Sequence, residues 1–468
     1  MPCPVLNVEQ VRAWEQATWV AGETEAEVIR RVGEQIAMLA LRLTRAGDSI
    51  LVLAGKGNNG KDVLSAAGFI TERRINRLVV SDPALETAEL DKALGQRPAL
   101  ILDGLFGIGL NRALSPEWIR LIERVNQSGC RVLSADVPSG LNADTGEHYG
   151  AAIRASVTLT VGAPKIGLLQ AVAWPYVGRL EVASEVGLRG VPERGELRWT
   201  LPEDFSGFPP ERPVDGHKGT FGHLGIIAGS MGYHGAAVLA ARGAQCAQPG
   251  LVTLYTTESV YHPVAAQLQS VMVSPWLPGA EIRPDLTAIV IGPGLAAEEV
   301  PESLRTLTRR LWRTWPMPMV VDASALDWLG HEPVRKDALR VITPHPGEAA
   351  RLLNVSARDV QAERLKSLRR VSQKLGNCMV VLKGHQTLVG RDMGDAFVNC
   401  SGNPHLAQGG SGDVLAGFLG GLLAQPLLLK PDACLAVRYA VWAHGAAADR
   451  LQSRCRHWTV EELVQALG

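Results

Sequence analysis

The segment Gly409-Gly410-Ser411-Gly412-Asp413 sets three glycines in four positions directly before an apolar run that begins at Val414. Such a loop lets backbone N–H groups point at an anion from the positive end of a helix, which suits a migrating phosphoryl group. Asp413, in the first turn of that helix, is then placed to take a proton from an attacking hydroxyl. The plainer alternative is that the glycines only permit a tight turn and Asp413 only favours a helix N-terminus.

Four further loops follow apolar strands in the same half. They are Ile291-Gly292-Pro293-Gly294-Leu295, Val321-Asp322-Ala323, Thr343-Pro344-His345-Pro346-Gly347-Glu348 and Lys383-Gly384-His385-Gln386-Thr387. In open α/β sheets, function-bearing loops gather at the carboxyl ends of strands. Taken singly, the glycines are ordinary turn residues and His345 a packed loop residue. Taken in order, together with Gly402-Asn403-Pro404 and the opening His217-Lys218-Gly219, Ala228-Gly229-Ser230 and Tyr233-His234-Gly235-Ala236, the set resembles the ribokinase-like family of ADP-dependent NAD(P)H-hydrate dehydratases over roughly residues 215–468. The resemblance implies that Ala236, Gly294, His345 and Asp413 touch a hydrated nicotinamide nucleotide. It further implies that Lys383, Gly384, His385, Gln386, Thr387 and Gly412 hold ADP with Mg2+, and that Asp413 is the catalytic base. His405, Leu406 and Gln408 stand where that family tends to have Gly, Met and Thr. A small-molecule kinase of the wider ribokinase superfamily is the alternative, with a first half that only senses nucleotides or oligomerises.

The first half has its own glycine turn, Gly55-Lys56-Gly57-Asn58-Asn59-Gly60-Lys61-Asp62, which at a strand end can cup a pyrophosphate. It lacks the spacing of the dinucleotide fingerprint, and its asparagines are also ordinary turn formers. Two more strand-end loops accompany it, Leu102 to Leu110 (Leu-Asp-Gly-Leu-Phe-Gly-Ile-Gly-Leu) and Ala135 to Asn142 (Ala-Asp-Val-Pro-Ser-Gly-Leu-Asn). The three in this order resemble the NAD(P)H-hydrate epimerase family over roughly residues 5–205. That resemblance assigns Asn59, Asp103 and Ser139 to a potassium ion. It assigns Asn58, Asn59, Gly60, Lys61 and Asp62, the run Gly107, Ile108, Gly109, Leu110, Asn111, Arg112 and Ala113, and Asp136 to the nucleotide, with Asp136 as the catalytic proton shuttle. Lys61 and Val63 replace glycines of the family pattern, Asn142 stands where aspartate is common, and Ile29 to Gly33 replaces an early Met-Glu-Arg-Ala-Gly.

The elements that must position these loops are legible as alternation. Helical apolar spacing over Val8–Val20 and Ala26–Thr44 precedes strands at Ile50–Ala54, Leu78–Ser81, Ala99–Leu102 and Arg131–Ala135, with a helix from about Gly60 to Arg73. A Pro- and Gly-rich lapse between Leu201 and Gly222 reads as an exposed connection. The rhythm then restarts with His223–Ala228, Leu251–Tyr255, Ala288–Ile291, Met319–Val321, Arg340–Ile342 and Met379–Leu382 as strands, and Gly235–Cys246 as a helix. Alternating strands and helices mean parallel sheets wrapped by helices. The expectation is therefore an α/β chain of two three-layer domains, a Rossmann-like sheet over 1–205 and a ribokinase-like sheet over 223–468, joined by a linker at 206–222.

Bulk properties bound the partners. The 468 residues exceed one common domain, and 46% apolar with 20% charged residues is globular composition. Lys+Arg and Asp+Glu both number 47, so no basic excess is available for nucleic acid or an anionic membrane. Seven scattered cysteines without a Cys-x-x-Cys pair suggest neither disulfides nor zinc, which fits a reducing cytoplasm. The most apolar stretch, Val414 to Leu429, is interrupted by glycines, Gln425 and Pro426, and no signal peptide or membrane span is expected. A homo-oligomer acting on small molecules is the expected form.

Overall fold

The computed structural model describes residues 3–190, 195–330, 334–335, 337–430 and 432–468. The chain divides into two compact units between Trp199 and Thr200. Both are α/β, as expected.

In the first unit six parallel strands among the described residues lie in the order Arg74–Val79, Ser49–Ala54, Leu100–Gly104, Val132–Ala135, Val157–Val161, Arg179–Ala183. A parallel sheet covered on both faces needs strands apolar on both sides, and Ser49–Ala54 supplies this. Ile50, Val52 and Ala54 point into one core with Val32, Ile36 and Ala66, whereas Leu51 and Leu53 point into another with Leu90, Leu121 and Val125. The first strand in sequence is flanked by the second on one side and the third on the other. That reversal opens a crevice at the carboxyl ends, which is where Gly55 to Asn59 and Leu105 to Ala113 emerge.

Two elements differ from expectation. The helix after the glycine turn runs Asn58–Phe69, not to Arg73, because Ile70 is extended and Glu72 turns the chain with φ 56. The next strand starts at Arg74, four residues early. It is a sheet edge whose Arg74, Asn76 and Arg77 are solvated, so its polar start masks the strand.

In the second unit nine strands among the described residues run Ala396–Val398, Leu388–Gly390, Met379–Leu382, Arg340–Ile342, Met319–Val321, Ala288–Ile291, His223–Ile227, Leu251–Thr257, Met272–Trp276. All neighbours are parallel except at Leu388–Gly390, which is antiparallel to both flanking strands. The helix Ser411–Leu423 is buried from Val414 onward and packs on His234–Cys246 so closely that a Cβ at Gly417 would overlap the Ala240 carbonyl. The Pro-rich stretch after Leu201 is mostly exposed, but Phe205 is buried, and Asp204 forms a buried ion pair with Arg438 at 2.7 Å. No helix among the described residues is long and apolar enough to cross a membrane.

Candidate active sites

In the second unit Gly410 adopts φ 98, a left-handed conformation that suits glycine, and turns the chain into Ser411–Leu423 with Asp413 in its first turn. The loop before it is tied down. Asp449 accepts from the Gly402 N–H at 2.9 Å and the Asn403 amide at 3.0 Å, and Ser411 Oγ donates to the Leu406 carbonyl at 2.7 Å. Lys383 leaves the end of Met379–Leu382 and brings Nζ to 2.9 Å from Asp322 Oδ1 and 3.9 Å from Glu348 Oε2. The same ammonium lies 3.5 Å from where a Cβ of Gly412 would be, so it reaches the glycine cradle itself.

Burial pushes the Asp413 carboxyl up to about 7, helped by Asp322 and Glu348 and opposed by Lys383. Burial pulls the Lys383 ammonium down, but Asp322, Glu348 and Asp413 outweigh it and hold it above its ordinary value. A positive lysine beside an acid that titrates near neutrality is a workable setting for proton removal coupled to phosphoryl transfer.

The other expected residues take separate places. Gly294, with φ 65, accepts from Ser230 Oγ through its carbonyl at 2.7 Å, and a Cβ there would lie 2.8 Å from that of Ala236. His345 caps Pro346–Leu353, Nδ1 accepting from the N–H groups of Gly347 and Glu348, while Glu348 accepts from the His345 N–H at 2.7 Å. The turn Lys383 to Thr387 has Gly384 at φ 128 and Gln386 at φ 52, His385 is exposed, and Thr387 Oγ1 donates to the Gly384 carbonyl at 3.0 Å. Arg364 braces this turn through the Leu382 and Gln386 carbonyls at 3.2 and 3.4 Å. Arg364 and Asp449 escaped the sequence reading, since both sit inside helical patterns with no local signal.

The first unit encloses a cavity of about 980 Å³ at its strand ends. Asn58, Asn59, Asp62, Asp136 and the whole run Gly107 to Ala113 line it; Gly60 and Lys61 do not. Gly60 instead lets the helix start pack on Gly55, whose carbonyl a Cβ would overlap. Asp136, at φ 63, is a strained strand end. Its Oδ1 accepts from the Val161 N–H at 2.9 Å, the Thr160 hydroxyl at 3.3 Å and the Lys165 ammonium, which is fully buried. Asp103 is also fully buried. Its Oδ1 accepts from Ser139 Oγ at 2.5 Å and the Leu105 N–H at 3.3 Å, and its Oδ2 from Ser134 Oγ at 2.8 Å and the Ser139 N–H at 2.9 Å. Burial pushes its carboxyl above the ordinary range against these bonds. Asn59 donates to the carbonyls of Phe106 at 3.0 Å and Ala135 at 2.7 Å, so Asn59, Asp103 and Ser139 do gather around one loop crossing. Lys165 and Glu15, both absent from the sequence reading, belong to this site; Lys165 follows Val157–Val161, a strand not anticipated.

The NAD(P)H-hydrate dehydratase family model matches residues 224–467, and that of the YjeF-related protein N-terminus matches residues 76–167. The bifunctional NAD(P)H-hydrate repair enzyme of Gloeobacter violaceus is 36% identical, over 100% of this chain and 97% of that protein. That of Coxiella burnetii is 35% identical over 94% and 93%. The chain belongs to the bifunctional NAD(P)H-hydrate repair enzyme family. A solved ribokinase-like superfamily protein from Enterococcus faecalis superposes with a TM-score of 0.52 at 26% identity, over 60% of this chain and 96% of that one, in keeping with the ribokinase-like sheet.

As an NAD(P)H-hydrate repair enzyme, the chain accommodates its departures from the family pattern locally. Lys61 is half exposed and turns to Glu25 at 3.7 Å. Val63 is fully buried against Gly104, on the core side of its helix. Asn142 builds a turn, accepting from the N–H groups of Asp144 and Thr145 at 2.7 and 2.9 Å. Gln408 donates to the His405 carbonyl at 2.7 Å, so two of the three departures before the cradle stabilise one another.

Proposed function

We propose that the second unit removes water from the S epimer of hydrated NADH or NADPH at the expense of ADP, and that the first unit interconverts the R and S epimers. Asp413 takes the proton of the ring hydroxyl as that oxygen attacks the terminal phosphorus of ADP, and AMP departs. The ring nitrogen then expels phosphate, and loss of a proton from the adjacent carbon restores the double bond. The observation that carries this reading is the Asp413 carboxyl, raised to about 7, at the mouth of a glycine cradle that Lys383 also reaches. The amides of Gly409 to Gly412 stabilise the charge on the migrating group, and Lys383 to Thr387 hold ADP.

Asp322 and Glu348, which both face the Lys383 ammonium, are the carboxylates that would share a Mg2+ with the ADP phosphates. Among the described residues no group of three or more His, Cys, Asp or Glu could hold a metal ion by itself. When bound, it supplies charge neutralisation for the phosphates. In the first unit Asn59 and Ser139 present hard oxygens of the type an alkali cation takes, and the buried Asp103 behind Ser139 supplies the compensating negative charge. A potassium ion there would add positive charge at the strand ends where the nucleotide lies.

The test is to incubate the chain with mixed R and S hydrates and either ADP or ATP, and to follow the return of dihydronicotinamide absorbance. Full recovery is expected. Absence of recovery with either nucleotide would remove the dehydratase reading, and recovery that halts at the S fraction, after spontaneous epimerisation is subtracted, would remove the epimerase reading.

A further inference from the structure

Inversion at the hydroxyl-bearing ring carbon requires the hydroxyl to leave one face and water to arrive at the other. A proton must therefore be given on one side and taken on the other. Asp136 is fixed for one side only, because Lys165, the Val161 N–H and the Thr160 hydroxyl all bind its Oδ1. Oδ2, without a bond among the described residues, is what Asp136 offers to the cavity it lines.

Three other carboxyls line that cavity: Glu15, Glu25 and Asp62. Glu25 is engaged, accepting from the Asn58 amide at 2.7 Å and facing Lys61. Asp62 is only 6% exposed and has no hydrogen bond or ion pair among the described residues. It belongs, however, to the helix behind the nucleotide turn. Glu15 comes from Val8–Val20, a helix apart from the strand-end loops that carry Asp136, so it reaches the cavity from a separate wall. It forms no ion pair among the described residues. The charged groups facing it are Asp136, Lys165, Arg12, Glu25 and Asp62; burial, then Asp136, push its carboxyl up, and Lys165 and Arg12 only partly offset them.

On the epimerase reading of the first unit, we infer that Glu15 is the second proton-transfer group, acting on the ring face opposite the one served by Asp136. From one epimer, the Glu15 carboxyl protonates the hydroxyl and the C–O bond breaks with its electrons on oxygen. The ring nitrogen lone pair closes a C=N bond. Water then adds to the opposite face, that π pair returns to nitrogen, and Asp136 takes the surplus proton. One proton has passed from Glu15 to Asp136; the reverse conversion, or exchange with solvent, returns it.

The experiment uses the full chain with R-enriched NADPH hydrate and no ADP, the epimers being resolved chromatographically against a protein-free control. Glu15→Gln should slow the enzymatic interconversion about a hundredfold, within the usual range for loss of an acid–base group. Its affinity for NADPH, read by tryptophan quenching, should stay within about twofold, and its pH–rate profile should lack the alkaline limb expected of the wild type. Glu15→Asp should recover to within about tenfold of the wild type. An E15Q chain that interconverts within about threefold of the wild-type rate overturns this assignment alone; a wild type no faster than the control overturns the epimerase reading and this inference with it. Should E15Q fail to bind NADPH, E15D decides: a variant that binds NADPH yet interconverts below about a hundredth of the wild-type rate counts against Glu15.

Discussion

The two units place an aspartate at comparable points, beside a strand end or helix start over a parallel sheet, yet prepare it in opposite ways. Asp136 has Lys165 bonded directly to one carboxylate oxygen, with two more donors on the same atom. Asp413 has the lysine that faces it engaged on Asp322, so burial and like charges outweigh that lysine's pull. A bonded ammonium on one oxygen fixes the direction of the other, which suits a group that must serve one face of a ring. A carboxyl poised near neutrality suits a base that must take a proton and release it within one turnover.

The sharpest way to break this comparison is to remove each carboxylate while keeping its shape. Asp413→Asn should lower ADP-dependent dehydration of the S epimer about a thousandfold, measured as dihydronicotinamide recovery. A variant retaining the wild-type rate would show that the cradle works without this base. Asp136→Asn should slow use of the R epimer about a hundredfold, a smaller effect because water can deliver and remove protons at a carbinol carbon unaided. Measuring both variants on separated epimers tells whether the two aspartates act in distinct reactions.

The second comparison concerns what was readable. Four strands of the second sheet, Ala288–Ile291, Met319–Val321, Arg340–Ile342 and Met379–Leu382, were bounded correctly from sequence, because strands buried on both faces leave runs that are apolar but for Arg340. Edge strands gave no such signal: Met272–Trp276 contains Pro275 and is largely half exposed, and Arg74–Val79 opens with solvated arginine and asparagine. The glycine loops were legible for the same local reason as the central strands, since backbone approach and turn geometry constrain adjacent residues. Lys165, Arg364 and Asp449 were not. Each acts on a loop distant in sequence, and only the packed sheet shows which loop that is. Lys165 was hidden twice over, because the Thr-rich strand before it, Val157–Val161, lacks an obvious apolar run.

The raised carboxyl of Asp413 predicts a pH signature with two opposed trends. As a base it must be ionised, so kcat/KM for the S epimer should fall about tenfold per unit as pH drops below about 7, and level off above it. For stability the sign reverses. A group whose folded pKa is raised contributes stability below its unfolded value, and that contribution is lost as pH rises through about 7. The wild type should therefore lose thermal stability relative to Asp413→Asn between acid and mildly alkaline solution, as scanning calorimetry at pH 5 and pH 8 would read. Parallel movement of both proteins would mean that Asp413 is not the group responsible.

The smallest expected effect tests the departure that most separates the first unit from its family pattern. Lys61 stands where a glycine is usual, and in a phosphate cradle an added cation would ordinarily be counted as a ligand or an obstacle. Here its ammonium lies 3.7 Å from Glu25, its side chain is about half exposed, and it does not line the cavity. An exposed pair of that kind contributes roughly 0–1 kcal/mol. Lys61→Gly should accordingly leave both the R-epimer rate and NADPH affinity within about twofold, while the helix Asn58–Phe69 loses about 1 kcal/mol to the glycine itself. A fall of tenfold or more in affinity with unchanged turnover would instead make Lys61 a phosphate ligand that swings inward when nucleotide binds. In that case Glu25, released from Lys61, would be the group to mutate next, since it contacts both Lys61 and Asn58.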